Sequence, residues 1–545
     1  MQKIRGVTIY MSLLLSTLAY GQGRNASAIT AAQLKDYLMF VAADEMEGRD
    51  TPSRGLNTTA KFMATQLSRW GLKPAGDDGS YFQKIALRRN RTDPAQTRAE
   101  INGRPFRFGA DFLDREQTAG TVSGQVVYVG NGWLIKSKNI NPYEGLDIKD
   151  KIIVFLSGLP KGVSFGELVG KEGEDFVPPM MYAARNGAAG AIAISNFQAL
   201  ANWDLNRREA VDQGSVVIEK FQHQNEAGIP AITASPRMLS ALFEGEKESA
   251  SRIFNRGLGG DAVASFELSP NKRVNFTIGI KSDQLFTQNV VAMLEGSDAK
   301  LKNEYVAISA HYDHVGIGVS AHHDHAGAGT AAPGDSIYNG ADDDGSGTVA
   351  VLAMAEAFAR ASRPKRSILF VWHCGEEKGL WGSRYFVENP IVPLHQIIAQ
   401  LNIDMIGRSK KDGDANSENA ELAGQHEIYV IGSKMMSTDL GNLSERVNKS
   451  YLNLKFNYKY DDSNDPNRFF FRSDHFNYAQ KGIPIIFYFN GVHEDYHQLA
   501  DSFDKIDYQR MEKITRTIYA TAWELANAKN RPKVDKKLPM ELTAN

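Results

Sequence analysis

Four short segments of the chain are almost continuously apolar: YVAISA (305–310), RSILFVWH (366–373), IIAQLNI (397–403) and GIPIIFYF (482–489). Patterns at helical spacing separate some of them, notably GTVAVLAMAEAFAR. Apolar strands that alternate with helices predict an α/β fold: a mostly parallel sheet buried on both faces and flanked by helices. Upstream, AAQLKDYLMFVAADEMEGR and GLNTTAKFMATQLSRWG repeat their apolar residues at helical spacing. The second pattern stops at Gly71, with Pro74 just beyond. The loop EGRDTPSRG lies between them. From about residue 120 the texture changes to short β-branched runs punctuated by glycine, SGQVVYVG, KDKIIVFLSG, AAGAIAIS and GIPAITAS. These runs predict a separate small α/β module. YQRMEKITRTIYATAWELANA predicts the last helix.

At 545 residues the chain exceeds one ordinary compact unit. The expected division is a signal segment (1–21), a first part of the main domain (28–118), an inserted module (119–270), the rest of the main domain (275–530) and a polar tail (531–545). A formal net charge of −2 gives no argument for nucleic acid or an anionic membrane as partner. Cys374 is the single cysteine, so no intrachain disulfide is possible, and beside a glutamate pair it reads as a small packing residue. Lys3 and Arg5, the mostly apolar run Val7–Leu18 and the small-residue exit Ala19-Tyr20-Gly21 have the order of a secretory signal. The expectation is export, to the periplasm or the medium, with no integral membrane segment afterwards.

In open α/β sheets ligands bind beyond the carboxyl ends of the strands. After YVAISA comes His311-Tyr312-Asp313; after RSILFVWH comes Cys374-Gly375-Glu376-Glu377; after IIAQLNI comes Asp404; past GIPIIFYF and a short loop comes Tyr496-His497. The run Asp342-Asp343-Asp344 opens the helical segment between the first two strands. Singly, each has an ordinary explanation as a helix cap or a solvated face. Together they form a set of imidazoles and carboxylates without a thiolate, which suits borderline-hard divalent ions, zinc first, with manganese or cobalt as options. Two ions sharing one carboxylate need five protein ligands, and His311, Asp342, Glu377, Asp404 and His497 supply that count. Such a pair, about 3.5–4 Å apart, polarises a carbonyl and activates a water. Glu376 is placed to act as the general base.

HYDHVG, YNGADDDGSGT, GEEKGLWGS, NIDMIGR and DYHQLADSFDKID, in that order, closely resemble the signatures of metallopeptidase family 28. That family includes co-catalytic zinc aminopeptidases and glutamate carboxypeptidases. EGRDTPSRG and GLKPAGDDGSYFQ resemble its usual opening. DIKDKIIVFLSG, NGAAGAIAIS and GIPAITAS resemble a protease-associated (PA) domain. The resemblance implies one ion on Asp342, Glu377 and His497, a second on His311, Asp342 and Asp404, and Glu376 as general base and acid. It implies that Asp313 accepts a hydrogen bond from the His311 imidazole and that Tyr496 binds the developing oxyanion. It further implies a cis Asp342–Asp343 peptide bond. Asp344 is expected near the N-terminus of the following helix. Asp501 has two roles open, orienting His497 or capping the next segment. Arg472, Asp474 and His475 are candidates for a substrate pocket, with structural roles equally open. His322, His323 and His325 form either an accessory metal site or a solvated loop.

The expected function is a two-metal exopeptidase acting on peptides or proteins, first an aminopeptidase. The alternative within the class is a carboxypeptidase or dipeptidase, for which Arg472 is the one obvious carboxylate partner near the motifs. A glutaminyl cyclase would not need His311. A non-catalytic receptor would not need a full ligand set, and a two-metal phosphoesterase would not need the Glu376-Glu377 pair. The sequence leaves side-chain preference and oligomeric state open.

Overall fold

The computed structural model describes residues 26–221, 228–259, 263–318 and 335–538. The expected signal segment, His322, His323 and His325, and the end of the tail lie outside the described residues. The chain divides into two compact units. One combines the chain up to Ile85 with everything from Phe286 onward, and the other is Ala86–Leu285.

The first unit is built on a mixed sheet. Its strands are β1 (Ile280–Leu294, through residues 290–294), β2 (Tyr305–His311), β3 (Ser367–His373), β4 (Ile397–Ile403), β5 (Glu427–Ile431), β6 (Lys455–Asn457) and β7 (Ile485–Phe489). They lie in the order β1-β3-β2-β4-β7-β5-β6. The four inner strands β3, β2, β4 and β7 run parallel; β1 pairs antiparallel with β3 and β5 antiparallel with β7, while β6 pairs parallel with β5. The four apolar runs of the sequence are these parallel strands. Every residue of β3 and β4 is buried, as a strand covered on both faces requires.

The helices are α1 (Ala31–Val41), α2 (Arg54–Arg69), α3 (Gly347–Ala359) and α4 (Tyr508–Asn527), among shorter ones. Thr30 and Ser53 accept backbone N–H bonds at the starts of α1 and α2, and Asp507 does so for α4. α3 is apolar on all sides and buried along nearly its whole length, packed between β2, α1 and α4. Its first residue must be glycine. A Cβ on Gly347 would lie 2.4 Å from the Asp344 carboxylate and 2.5 Å from the Ile403 carbonyl oxygen.

The second unit has a six-stranded sheet in the order Phe266–Glu267, Val126–Tyr128, Ile152–Leu156, Gly190–Ile194, Ala231–Ala234, Phe112–Asp114, with the inner four strands parallel. A second, antiparallel sheet pairs Val274–Ile278 with Arg98–Ile101 on one side and with Gly120–Gly124 on the other. Both sheets share one apolar core, which includes Ile101, Val126, Ile192 and Phe276. This pairing is why the unit is wider than the expected 119–270: residues 98–106 are strands of the insert, not of the main domain.

Candidate metal centre

Parallel pairing brings the strand ends to one edge. β2 and β3 are in register at His311 and His373, β2 and β4 at Ser309 and Asn402, and β4 and β7 at Ile403 and Tyr488. His311 is the last residue of β2, Asp404 follows β4 directly, and Glu376 and Glu377 come just after β3. The α3 residue Thr348 ties the end of β2 down by donating to the His311 carbonyl oxygen at 2.6 Å.

The aspartate run converges on these groups through its middle member. Asp343 Oδ1 lies 3.3 Å from His311 Nε2, and Asp343 Oδ2 lies 3.0 Å from His497 Nε2. Asp404 Oδ1 stands 3.6 Å from His311 Nε2, and Glu377 Oε2 stands 3.1 Å from His497 Nε2. One carboxylate thus faces both imidazoles, one oxygen to each. This corrects the expectation for Asp342. Its Oδ1 accepts the Gly407 N–H at 2.6 Å and its Oδ2 lies 3.2 Å from His493 Nε2, so its carboxylate is committed elsewhere. The cis peptide bond likewise joins Asp343 and Asp344, not Asp342 and Asp343. Asp344 Oδ1 accepts N–H bonds from Gly347, the first residue of α3, at 2.8 Å and from Met405 at 3.1 Å. The outer two aspartates therefore hold the backbone just after Asp404, and Ser346 Oγ adds a bond from the Ile406 N–H at 2.9 Å.

Other candidates fall into place around this pair. The His311 Nδ1 partner within hydrogen-bond distance is the Asp313 carbonyl oxygen at 3.2 Å, with the Asp313 carboxylate 3.7 Å away. That carboxylate instead accepts the N–H groups of Glu376 at 3.1 Å and Glu377 at 3.4 Å, tying the two strand-end loops together. Asp501 takes neither of its two expected roles. It accepts the backbone N–H groups of Asp342 and Asp343, at 2.9 and 3.1 Å to Oδ2, and so fixes the aspartate run. Asp404 Oδ2 accepts from Ser473 Oγ at 2.6 Å, and Ser473 in turn accepts from Asn402 Nδ2 at 2.8 Å. His314 is a site residue that the sequence pattern did not single out. Fully buried, it places Nδ1 2.9 Å from Glu377 Oε1, which steadies that carboxylate. Its only sequence signal was its place directly after His311-Tyr312-Asp313.

A cleft beside the acidic groups is lined by Asp343, Glu376, Asp404, Met405, Arg472 and Tyr496, with Phe469, Phe487, Phe489 and Val492 as apolar walls. Arg472 is exposed at this cleft, its Nη2 3.4 Å from Tyr496 Oη. The Tyr496 ring stacks on His497 with centroids 4.0 Å apart. Asp474 and His475 are buried instead. His475 stacks on Phe487 at 4.5 Å and places Nε2 2.7 Å from the Phe470 carbonyl oxygen; burial pushes its pKa down to about 3. Cys374 is buried and burial pushes its thiol up, as suits a packing residue.

The electrostatics call for cations. Burial favours a neutral Asp343 carboxyl, but the close His311 and His497 imidazoles and the charge of His314 hold it well below the usual range. Burial opposes charge on His497, yet Asp343 and Glu377 raise it to about 10. Burial, aided by Asp404 and Glu377, holds Glu376 well above the usual carboxyl range despite the opposing His311. Among the described residues, imidazoles are the only basic groups in contact with Asp343, Asp404 and Glu377.

The donor set fits metal ions. His314, Asp343, Glu377 and His497 form one convergent group and His311, Glu376 and Asp404 another, with the donor atoms of each within 4.8 Å of one another. His311 Nε2 and His497 Nε2 are buried and make no aligned hydrogen bond, although carboxylate oxygens lie close by. Each belongs to one of the two donor clusters, the grouping expected of ligands around an ion.

The model of Peptidase family M28 matches residues 289–522. Leucine aminopeptidase 2 of Arthroderma otae is 25% identical over 306 residues, 51% of this chain and 53% of its own length. An aminopeptidase of Pseudomonas aeruginosa is 25% identical over 316 residues, 56% of this chain and 49% of its own. The chain spans about half the length of these curated relatives. Among solved structures, the aminopeptidase from Aneurinibacillus sp. strain AM-1 aligns with a TM-score of 0.51 at 15% identity, over 94% of this chain and 97% of that one, a likeness of fold.

Proposed function

We propose, from the match of residues 289–522 to the model of Peptidase family M28, that the chain is a two-metal exopeptidase, an aminopeptidase that removes N-terminal residues from peptides. The observation that carries this reading is Asp343, with one oxygen toward His311 and the other toward His497. His311, Asp343 and Asp404 would hold one ion, and His497, Asp343 and Glu377 the other. Imidazole nitrogen and carboxylate oxygen donors suit zinc. Bound ions supply Lewis acidity to the scissile carbonyl and to the attacking water.

The chain's own groups do the rest. Glu376 sits in the cleft with Asp343 and Asp404. It takes the proton from the attacking water and returns it to the leaving amine, a shuttle suited to a carboxyl held well above its usual range by burial. Tyr496 stays protonated because burial and the nearby Asp343 push its hydroxyl up, so it can donate to the carbonyl oxygen as charge develops there. Phe469, Phe487 and Phe489 exclude water from one side of the cleft and offer an apolar surface to a substrate side chain. The basic start and apolar run at the N-terminus support export to the periplasm or medium, and among the described residues no helix is long and apolar enough to cross a membrane. The unit Ala86–Leu285 is read as a PA-like module.

One observation favours the second reading, a carboxypeptidase or dipeptidase. Arg472 lines the cleft and has no carboxylate partner among the described residues, so it is free to meet a substrate carboxylate. Metal analysis combined with hydrolysis of free-amine, N-blocked and C-amidated peptides separates the readings. The aminopeptidase reading expects two ions per chain, cleavage of free-amine peptides whether amidated or not, and no cleavage of N-blocked ones. Cleavage that requires a free C-terminal carboxylate and ignores the N-terminus would establish the second reading in its place.

A further inference from the structure

The turn Glu47-Gly48-Arg49 has three consecutive residues in the left-handed region, at φ 52, 63 and 50. Two of them carry side chains that rarely adopt it. The turn is also tightly seated: a Cβ on Gly48 would lie 2.3 Å from the Gly316 carbonyl oxygen and 2.6 Å from that of Tyr338. The result is a guanidinium with no exposed surface. Arg49 Nε donates to the Tyr312 carbonyl oxygen at 2.9 Å. Nη1 donates to those of Val41 at 2.8 Å and Asn339 at 2.6 Å, and Nη2 donates to that of Gly340 at 2.8 Å. The carbonyl of Arg49 itself accepts the His314 N–H at 3.3 Å.

These partners are not scattered. Tyr312 sits between His311 and Asp313, and Asn339-Gly340 lead directly into the aspartate run. Val41 ends α1. A single planar fork thus ties together the two loops that present His311 and Asp343. All four of these bonds go to backbone carbonyls and none to a carboxylate. Yet Asp313, Asp501, Asp343 and Asp344 all lie close enough for their charges to favour the protonated guanidinium, against burial, which lowers its pKa to about 10. At neutral pH it remains a fixed positive charge.

We infer that Arg49 is a positioning residue of the metal centre: it sets the spacing between the His311 loop and the Asp343 loop, and offsets the carboxylate charge while leaving the carboxylate oxygens free for ions. The inference rests on the two-metal reading. Its physical basis is that a guanidinium satisfies several carbonyls in a fixed plane, which a lysine ammonium, a point charge with three donors on a flexible stem, cannot reproduce.

The test compares wild type with Arg49→Lys and Arg49→Gly by metal content, by competition with a chelator, and by the visible spectrum of the cobalt-loaded proteins. Expected is a roughly 10–100-fold loss of metal affinity in both variants, the scale seen when an outer-shell partner is removed, with a changed cobalt spectrum. Millimolar guanidinium should partly restore Arg49→Gly but not Arg49→Lys. If Arg49→Gly does not fold, Arg49→Lys decides alone. Two ions bound to Arg49→Lys as tightly as to wild type, with an unchanged cobalt spectrum, would overturn the inference and leave the two-metal reading standing. A wild type that takes up no metal would overturn both.

Discussion

The two units each contain four adjacent parallel strands, and they differ in the residues at the carboxyl ends of those strands. In the first unit the strand ends deliver His311, the pair Glu376-Glu377 and Asp404. In the second, Ile152–Leu156 is followed by Ser157, Gly190–Ile194 by Ser195, and Ala231–Ala234 by Ser235. Ser235 is accounted for, since it caps the next helix by accepting the Met238 N–H at 3.3 Å. The same sheet architecture thus carries a cation-demanding cluster in one unit and small neutral residues in the other. Chemistry belongs to the strand-end residues, not to the sheet that presents them.

The contrast can be broken most severely at Asp343. Asp343→Asn should leave each chain with fewer than two ions and no measurable turnover, while Asp342→Asn should keep both ions, as metal analysis would show. Equal metal loss in the two variants would return the bridging role to Asp342. Next in size, Glu376→Gln should lower kcat by about 10²–10⁴-fold, the usual range for a lost general base. Its metal content should not change, and full activity would remove Glu376 from the base role. Smaller still is the loss at Asp501, which accepts backbone N–H groups of the aspartate run. Asp501→Asn should cost about 10–100-fold in metal affinity, on the scale of an outer-shell change, measured by chelator competition. On the other side of the comparison, Ser157→Ala and Ser195→Ala should leave kcat/KM within about twofold, as for substitutions away from any named mechanism.

The subtlest effect concerns Asp474. It is buried with neither carboxylate oxygen in an aligned hydrogen bond, and burial raises its pKa to about 7 from an ordinary 3.8. The folded state therefore binds this proton more tightly than the unfolded chain. Its contribution to stability is present below about pH 4 and is lost as pH rises toward 7. In chelator-treated protein, the melting temperature of wild type relative to Asp474→Asn should fall between about pH 4 and 7 and stay level above. A difference that does not vary with pH would contradict the assignment.

Much of this was legible in the sequence, for identifiable reasons. Strands β2, β3, β4 and β7 were legible because burial on both faces forces nearly continuous apolar runs. β6, Lys455–Asn457, has three residues and no buried one, so no periodicity could mark it. Most of the residues that cluster here, His311, Glu376, Glu377 and Asp404, were legible because they sit directly at the strand ends. The choice among the three aspartates was not. Which of three adjacent carboxylates turns toward the histidines depends on backbone conformation, here left-handed Gly340 at φ 55 and extended Asp343 at φ −99, ψ 102, and spacing carries no trace of it. Arg49 was hidden for a similar reason. It stands in a polar loop that reads as surface until its left-handed turn sends the side chain inward.

The clamp that Asp342, Asp344 and Ser346 place on residues 405–407 has a practical consequence. Met405 forms part of the cleft wall, and its backbone N–H is held by Asp344, the neighbour of Asp343. The cleft wall at Met405 and the carboxylate that faces both histidines are one mechanical piece. Reshaping the wall at Met405 should also move the Asp343 oxygens that face His311 and His497. The shape of the cleft wall and the position of the Asp343 carboxylate are therefore a single design variable, and a variant selected for one should be assayed for the other.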